Sequence, residues 1–180
     1  MKKILIASDV HGSAHYAQKL IKAFYQNECD CLVLLGDIYN HGPRNPFPCD
    51  YDPMKVAETL NNFQHKLIVL QGNCDSEVDQ MISTFKFQKS KRLKLSSRTI
   101  YLTHGHKHNA DNLPKNLKNG DWLFHGHTHV CVHEVLQNGV HVFNPGSVSL
   151  PKDDKRGYLV LQPNQVTRIL FNGETEVIPL

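Results

Sequence analysis

The 180-residue chain predicts an α/β sandwich: two β-sheets, one mixed and largely parallel, the other more antiparallel, packed face to face with helices outside. Three observations carry this. Apolar runs without period-two alternation occupy 3–8 (KILIAS), 31–36 (CLVLLG) and 66–72 (KLIVLQG), as strands covered on both faces read. Helix-patterned segments separate them, which implies right-handed crossovers between parallel strands. The second half instead holds short apolar segments divided by turn residues, the pattern of hairpins.

In chain order, the strand at 3–8 leads to a helix over 13–27, with Ser13 as N-cap to accept from the first free N–H groups. After the strand at 31–36, Asp52 caps a helix over 52–63. Pro53 takes its first position, where a missing N–H is harmless. Beyond the strand at 66–72, further candidates fall at 99–103, 121–125, 131–136, 140–143, 157–161 and 165–171, with QNG at 137–139 and QPN at 162–164 as turns. Hairpins rather than crossovers are expected to join them. Two facing sheets bury this many apolar strands. No repeat, low-complexity tract or composition break divides the chain, so one domain over 1–180 is expected.

With 40% apolar and 21% charged residues the chain suits a soluble globule. A net charge of +3 is too mild to call for nucleic acid or an anionic membrane as partner. The basic run KFQKSKRLK at 86–94 is read as solvated loop and edge strand. The opening MKKILIASDVHG has four apolar residues before Ser8, short of the ~7–15 of a signal sequence. No run approaches the ~20 apolar residues of a spanning helix, so a cytoplasmic protein is expected. Cys29, Cys31, Cys49, Cys74 and Cys131 are odd in number and lack C-x-x-C spacing, against a disulfide framework or a cysteine zinc site. Buried thiols are expected, Cys74 apart.

In open α/β folds, ligands collect beyond the carboxyl ends of the parallel strands. Here the runs end in Ser8-Asp9-Val10-His11-Gly12, in Gly36-Asp37 and in Gly72-Asn73-Cys74-Asp75. Later strands end in His104 and in His127-Thr128-His129. Singly these signals are weak, because an Asp after a strand is usually a turn former bonded to its own backbone. A lone His among small residues is usually a hydrogen-bonded loop residue. Five strand ends delivering such groups to one rim read as a metal site, with adjacent glycines allowing close backbone approach. The set of two carboxylates (Asp9, Asp37), one amide (Asn73) and four imidazoles (His11, His104, His127, His129) suits Mn, Fe, Zn, Co or Ni. It exceeds one ion's needs, and two ions about 3.5–4 Å apart sharing the carboxylate of Asp37 account for the surplus.

The blocks Asp9-x-His11, Gly36-Asp37-x4-Gly42, Gly72-Asn73-x-Asp75, Thr103-His104-Gly105 and Gly126-His127-Thr128-His129, in that order, resemble those of the calcineurin-like metallophosphoesterases. The short length, with GDIYNHGPRN, GNCDSEVDQM and FNPGSVSLPK, is similar to the bacterial YfcE-type phosphodiesterases. The resemblance implies a four-layer αββα sandwich of two mixed sheets flanked by helices. It implies one metal on Asp9, His11, Asp37 and His129 and a second on Asp37, Asn73, His104 and His127, commonly Mn²⁺. It implies hydrolysis of small-molecule phosphodiesters by attack of a metal-bound hydroxide, with Asp37, Asn73, Cys74 and His104 as catalytic positions. Charge agrees, since two divalent ions, two aspartates and one hydroxide leave the site at about +1, which a diester neutralises.

Where many members of that family have Gly-Asn-His, this chain has Gly-Asn-Cys at 72–74. A thiol with a reference pKa of ~8.5 suits protonation of a leaving oxygen less well than an imidazole at ~6.5, so diesters with good leaving groups are expected to outpace monoesters. Arg44 is expected to pair with a phosphoryl group and His41 to line the cleft. Asp75 is expected to orient a neighbouring site residue, and NPGS at 144–147 to form a tight turn beside the metal loops. The remaining histidines are read as structural or surface, with His106 and His108 within reach of substrate. Two rivals share the fold: a catalytically silent protein-binding scaffold, as in a retromer subunit, and a nuclease. The complete ligand set argues against the first and the mild charge against the second. The natural substrate, the resident metal and a homo-oligomeric state stay open.

Overall fold

A computed structural model describes residues 3–95, 98–178 and 180. Among these residues one sheet runs, side by side, through β12 (Thr175–Ile178), β11 (Gln165–Leu170), β10 (Gly157–Gln162), β1 (Ile4–Ala7), β2 (Cys31–Leu34), β3 (Leu67–Leu70) and β4 (Phe87–Gln88). The other runs through β5 (Lys91–Leu95), β6 (Arg98–Leu102), β7 (Trp122–Phe124), β9 (His141–Pro145) and β8 (Cys131–Val135). Strands β1 to β4 pair in parallel, whereas β10, β11 and β12 are added antiparallel beside β1.

Both predicted helices form. In α1 (Ala14–Gln26) the Ser13 hydroxyl accepts from Tyr16 N, and in α2 (Pro53–Asn61) Asp52 accepts from Lys55 N at 3.0 Å. Successive strand residues point to opposite faces. Leu5, Ala7, Leu32 and Leu34 therefore pack against Leu20 and Phe24 of α1 and Val56 and Leu60 of α2. Ile6 and Val33 turn the other way, into a cluster with Leu102, Trp122, Phe124 and Phe143 of the second sheet. Burial on both faces is why these strands lack alternation. Each such buried side chain contributes ~1.5–3 kcal/mol, and the inter-sheet cluster fixes one sheet's rim against the other's. The outer face of the second sheet, with Tyr101, Leu123 and Val142, is covered by Leu113 and Leu117 of the irregular segment 103–121.

The expectation of hairpins throughout the second half needs correction. Antiparallel pairs join β5 with β6, β8 with β9, and β10 with β11, but β6–β7 and β7–β9 are parallel. A parallel return needs a connection of about a dozen residues or more, which the segment 103–121 supplies without helix. The consequence for function is direct: β6, β7 and β9 all end at the rim where β1, β2 and β3 end.

The basic run contributes β5, an edge strand. Short or polar elements escaped the sequence pattern: β4, β12 and α3 (Glu77–Met81), the last opened by a Ser76/Asp79 capping box. Of the cysteines read as buried thiols, Cys29 is buried, Cys31 and Cys131 are half-buried and Cys49 is exposed. Among the described residues no helix is long and apolar enough to cross a membrane.

Candidate metal centre

The loops after β1 and β2 are zipped together by backbone bonds from Asp9 N to Gly36 O, His11 N to Asp37 O and Gly12 N to Ile38 O. The loops after β6 and β7 join in the same way, through Gly126 N to His104 O at 2.8 Å. Asp9 ties the two sets, its Oδ2 accepting from His127 N at 3.0 Å. These contacts hold Asp9, His11, Asp37, His127 and His129 at φ between 50° and 68°, a left-handed conformation that non-glycine residues seldom adopt. Close approach also demands bare glycine at two points. A Cβ at Gly72 would collide with Asp37 Oδ1, and one at Gly126 with Ser8 Oγ.

Three imidazoles have their tautomers fixed from outside the centre. His11 Nδ1–H donates to Asn40 O (2.7 Å), His129 Nδ1–H to Leu150 O (2.8 Å) and His104 Nδ1–H to Leu35 O (3.0 Å). Each Nε2 is therefore the nitrogen that faces inward, able to offer a lone pair once any proton on it is displaced, the usual arrangement of a metal-ligating histidine. His11 Nε2 and His129 Nε2 lie 3.0 Å apart, with Asp9 Oδ1 at 3.6 and 3.3 Å from them. That oxygen is buried and has no hydrogen-bond partner. On the other side, His104 Nε2 lies 3.0 Å from Asn73 Oδ1 and 3.4 Å from Asp37 Oδ2, and His127 completes the group. Asp37 Oδ2 is also 3.8 Å from His11 Nε2, so one carboxylate faces both clusters.

Asp9, His11 and His104 are fully buried, which makes this crowd of lone pairs costly unless positive charge sits among it. Protons or metal ions can supply that charge, and the donor set of oxygen and nitrogen fits a divalent cation. Burial works against charge on Asp9 and Asp37, yet the histidines outweigh it and hold both carboxyls below the usual range. Burial likewise depresses His104, but Asp37 and Asp9 lift it to about 9. His11 rises for the same reason, with Asp9 as its main partner, while His127 is lowered by burial and by His104.

A second layer positions these groups. The Asp75 carboxylate accepts from Asp37 N, Ile38 N and Gly72 N at 2.7–2.8 Å, clamping the β2 and β3 loops together. Cys74 N donates to Asp37 Oδ1 at 2.8 Å. Ser147 and Ser149 donate their hydroxyls to Asp9 O, and Asn144 Nδ2 donates to Gly126 O. The NPGS segment therefore does more than turn the chain: it supports Asp9 and the His127 loop.

Over the centre opens a cavity of about 490 Å³, lined by Asp37, Asn73, His127 and His129 with Arg44 and Cys74. Its wall also includes Asn40, Asn45 and Lys152, which sequence reasoning missed. Lys152 is brought there by its backbone N–H bond to His129 O. His41 is not in the lining. Its ring lies against Phe47 and Tyr51, with centroids 4.3 and 5.4 Å away, so the neighbouring Asn40 takes the place expected for it. The Cys74 thiol is pushed up to about 12 by burial, Asp37 and Asp75.

The calcineurin-like phosphoesterase superfamily domain matches residues 1–165. The chain is 42% identical over 179 residues to phosphodiesterase YfcE of Escherichia coli K12, covering 99% of this chain and 96% of that one. The solved structure of YfcE, a phosphoesterase from E. coli, superposes with a TM-score of 0.92 at 40% identity over 98% of both chains. Vacuolar protein sorting 29 from Cryptosporidium parvum superposes with a TM-score of 0.62 at 18% identity, over 98% of this chain and 95% of that one, a likeness of fold alone.

Proposed function

The chain belongs to the calcineurin-like phosphoesterase superfamily, and from that premise we propose that it is a phosphodiesterase working with two divalent metal ions, Mn²⁺ first among them, on either side of Asp37. The observation that carries this reading is the 3.0 Å approach of His11 Nε2 to His129 Nε2, with both Nδ1–H groups committed to carbonyls and Asp9 Oδ1 unpartnered beside them. A cation held by these atoms would supply the positive charge that so close a gathering of acceptors calls for. One ion is assigned to Asp9, His11, Asp37 and His129, the other to Asp37, Asn73, His104 and His127. When bound, such ions polarise phosphoryl oxygens and bring a bound water's pKa toward neutrality.

The chain's own residues do the rest. Arg44 and Lys152 offer positive donors to the non-bridging oxygens of a diester in the cavity above. Asp75 holds the Asp37 backbone and the Cys74 N–H holds its carboxylate, so that little must reorganise as charge develops on the phosphoryl oxygens. Position 74 provides a high-pKa thiol where an imidazole would aid departure, so the leaving oxygen departs with little proton assistance. Diesters with good leaving groups are therefore favoured over monoesters. The reading extends to a single phosphoesterase domain acting in the cytoplasm on small-molecule diesters.

The test is to strip metal and assay bis-p-nitrophenyl phosphate and p-nitrophenyl phosphate while restoring Mn²⁺, Zn²⁺, Fe²⁺, Co²⁺, Ni²⁺ or Mg²⁺ in turn. Diester hydrolysis should vanish on stripping and return with two equivalents of Mn²⁺. A rate indifferent to chelation overturns the proposal.

A further inference from the structure

A second cavity, of about 470 Å³, opens on the other side of Asn73, which lines both. Three strand ends build it. Asn73 follows β3, Lys89 follows β4, and His106, Lys107 and His108 follow β6, with Tyr101 of β6 as a flat wall. Parallel pairing of β4 with β3, closed by Gln71 N to Gln88 O at 2.8 Å, is what delivers Lys89 to this rim. The His106 ring packs 5.4 Å from that of His104 and 6.3 Å from that of His127, so the cavity abuts the candidate centre directly. The Arg92 guanidinium sits over the Tyr101 ring at 5.1 Å and adds positive charge behind that wall.

The lining is one-sided: two lysines and two histidines, and no carboxylate. A solvated charged face ordinarily mixes signs, whereas two lysines with no carboxylate to balance them, in a concave site beside a hydrolytic centre, raise the local concentration of an anion, and the imidazoles add hydrogen-bonding groups. A tetrahedral diester phosphorus sends its two ester arms in different directions, and this site offers a separate cavity to each. We propose that the Lys89/Lys107 cavity binds one ester arm of the substrate and that this arm carries a second phosphate group. This rests on the phosphodiesterase reading and names the substrate class within it: a diester with a phosphorylated, nucleotide-sized arm.

The experiment compares two chromogenic diesters that share a p-nitrophenyl leaving group and a nucleoside arm, one with a terminal phosphate on that arm and one with a free hydroxyl. The phosphorylated diester should show a KM lower by roughly tenfold, as expected of charge-assisted contacts in a partly enclosed site. In the Lys89→Gln/Lys107→Gln variant the ratio of the two KM values should fall toward one. A parallel arm titrates the corresponding nucleoside bisphosphate and monophosphate calorimetrically into both proteins, and thermal melting checks the variant's fold. Equal KM values in the unaltered chain, or a preference that survives in the variant, overturns the subsite. Failure to hydrolyse either diester sinks the phosphodiesterase reading instead. The calorimetric arm then still decides, with equal binding of bisphosphate and monophosphate counting against the cavity's role.

Discussion

Gly72 marks the closest approach of the loops after β2 and β3, and its replacement by alanine probes the candidate centre more directly than removal of a ligand. Gly72 does not have a positive φ, so alanine suits its backbone and the obstacle is space alone. The new Cβ would lie 2.5 Å from Asp37 N and 2.8 Å from Asp37 Cγ. The nearest atom is Asp37 Oδ1, so restoring an ordinary contact of about 3.5 Å requires the carboxylate or the 71–74 loop to move by roughly 1–1.5 Å. Overpacking of this kind costs ~1–3 kcal/mol of stability. A displacement of about 1 Å at a reacting centre costs ~10²-fold in rate, or about 2.7 kcal/mol in the barrier. Gly120 supplies the control. It has φ +81° and open space where a Cβ would go, so Gly120→Ala strains the backbone by ~1 kcal/mol without touching the centre. Both variants should melt a few degrees lower, at about 2–4 °C per kcal/mol for a chain of this size. Only Gly72→Ala should lose bound Mn²⁺ and roughly 100-fold in kcat/KM on bis-p-nitrophenyl phosphate. If Gly72→Ala keeps full metal content and rate, the position of the Asp37 carboxylate does not govern the centre and its shared-ligand role is lost.

The pH behaviour follows from His104, which Asp37 and Asp9 lift to about 9 against its burial. Because this lies above the ~6.5 of an unfolded chain, its contribution to metal-free stability is complete below that value and disappears as pH rises through the folded one. Metal binding must expel the same proton, so Mn²⁺ affinity should rise with pH. Calorimetry in buffers of unequal protonation heat should read proton release at pH ~7.5, and no release would show that His104 is not displaced. Asp75→Asn leaves one acceptor oxygen where three backbone N–H groups now converge, and should weaken Mn²⁺ binding ~10–100-fold. Stability near neutral pH should fall little, because burial has already raised Asp75 to about 6 and removing its charge offsets the lost bonds. Unaltered metal content by mass spectrometry would count against its positioning role. Cys74→His restores an imidazole at the cavity wall and should raise turnover of p-nitrophenyl phosphate by roughly tenfold or more. Unchanged monoester turnover would show that position 74 is merely a fit for a small residue.

How much of this was legible in the sequence depends on whether the cause was local. β1, β2 and β3 were readable because burial on both faces writes an unbroken apolar run, and Ser13 and Asp52 because capping involves residues three apart. The directions of β6, β7 and β9 were not readable. That of β7 beside β6 follows from the long irregular crossover 103–121, which carries no helical period to announce itself, and that of β9 beside β7 from the return through β8. That same gap hid part of the site. Ser149 and Lys152 reach the rim only because β9 runs parallel to β7, whereas the NPGS turn at 144–147 was expected beside the metal loops and lies there. His41 shows the opposite limit. A side chain one residue away from Asn40 points elsewhere, and the apolar neighbours that receive it, Phe47 and Tyr51, were visible only as aromatics in a polar loop.

The backbone of the candidate ligands shows what the sheets do for the chemistry. Left-handed φ in single residues is the habit of glycine, asparagine and aspartate, yet His11, His127 and His129 adopt it at φ 50°, 68° and 61°. Each costs ~1–2 kcal/mol that no local contact returns. Such a conformation persists only where surrounding structure over-determines it, here the inter-sheet cluster around Phe124 and Phe143 and the loop bonds at Asp9, Gly126 and Lys152. The inward-facing nitrogens are thus oriented by the carbonyls of Asn40, Leu35 and Leu150 and by the packing of the two sheets. That is why a collision at Gly72, which contributes no ligand itself, should be enough to disable the centre.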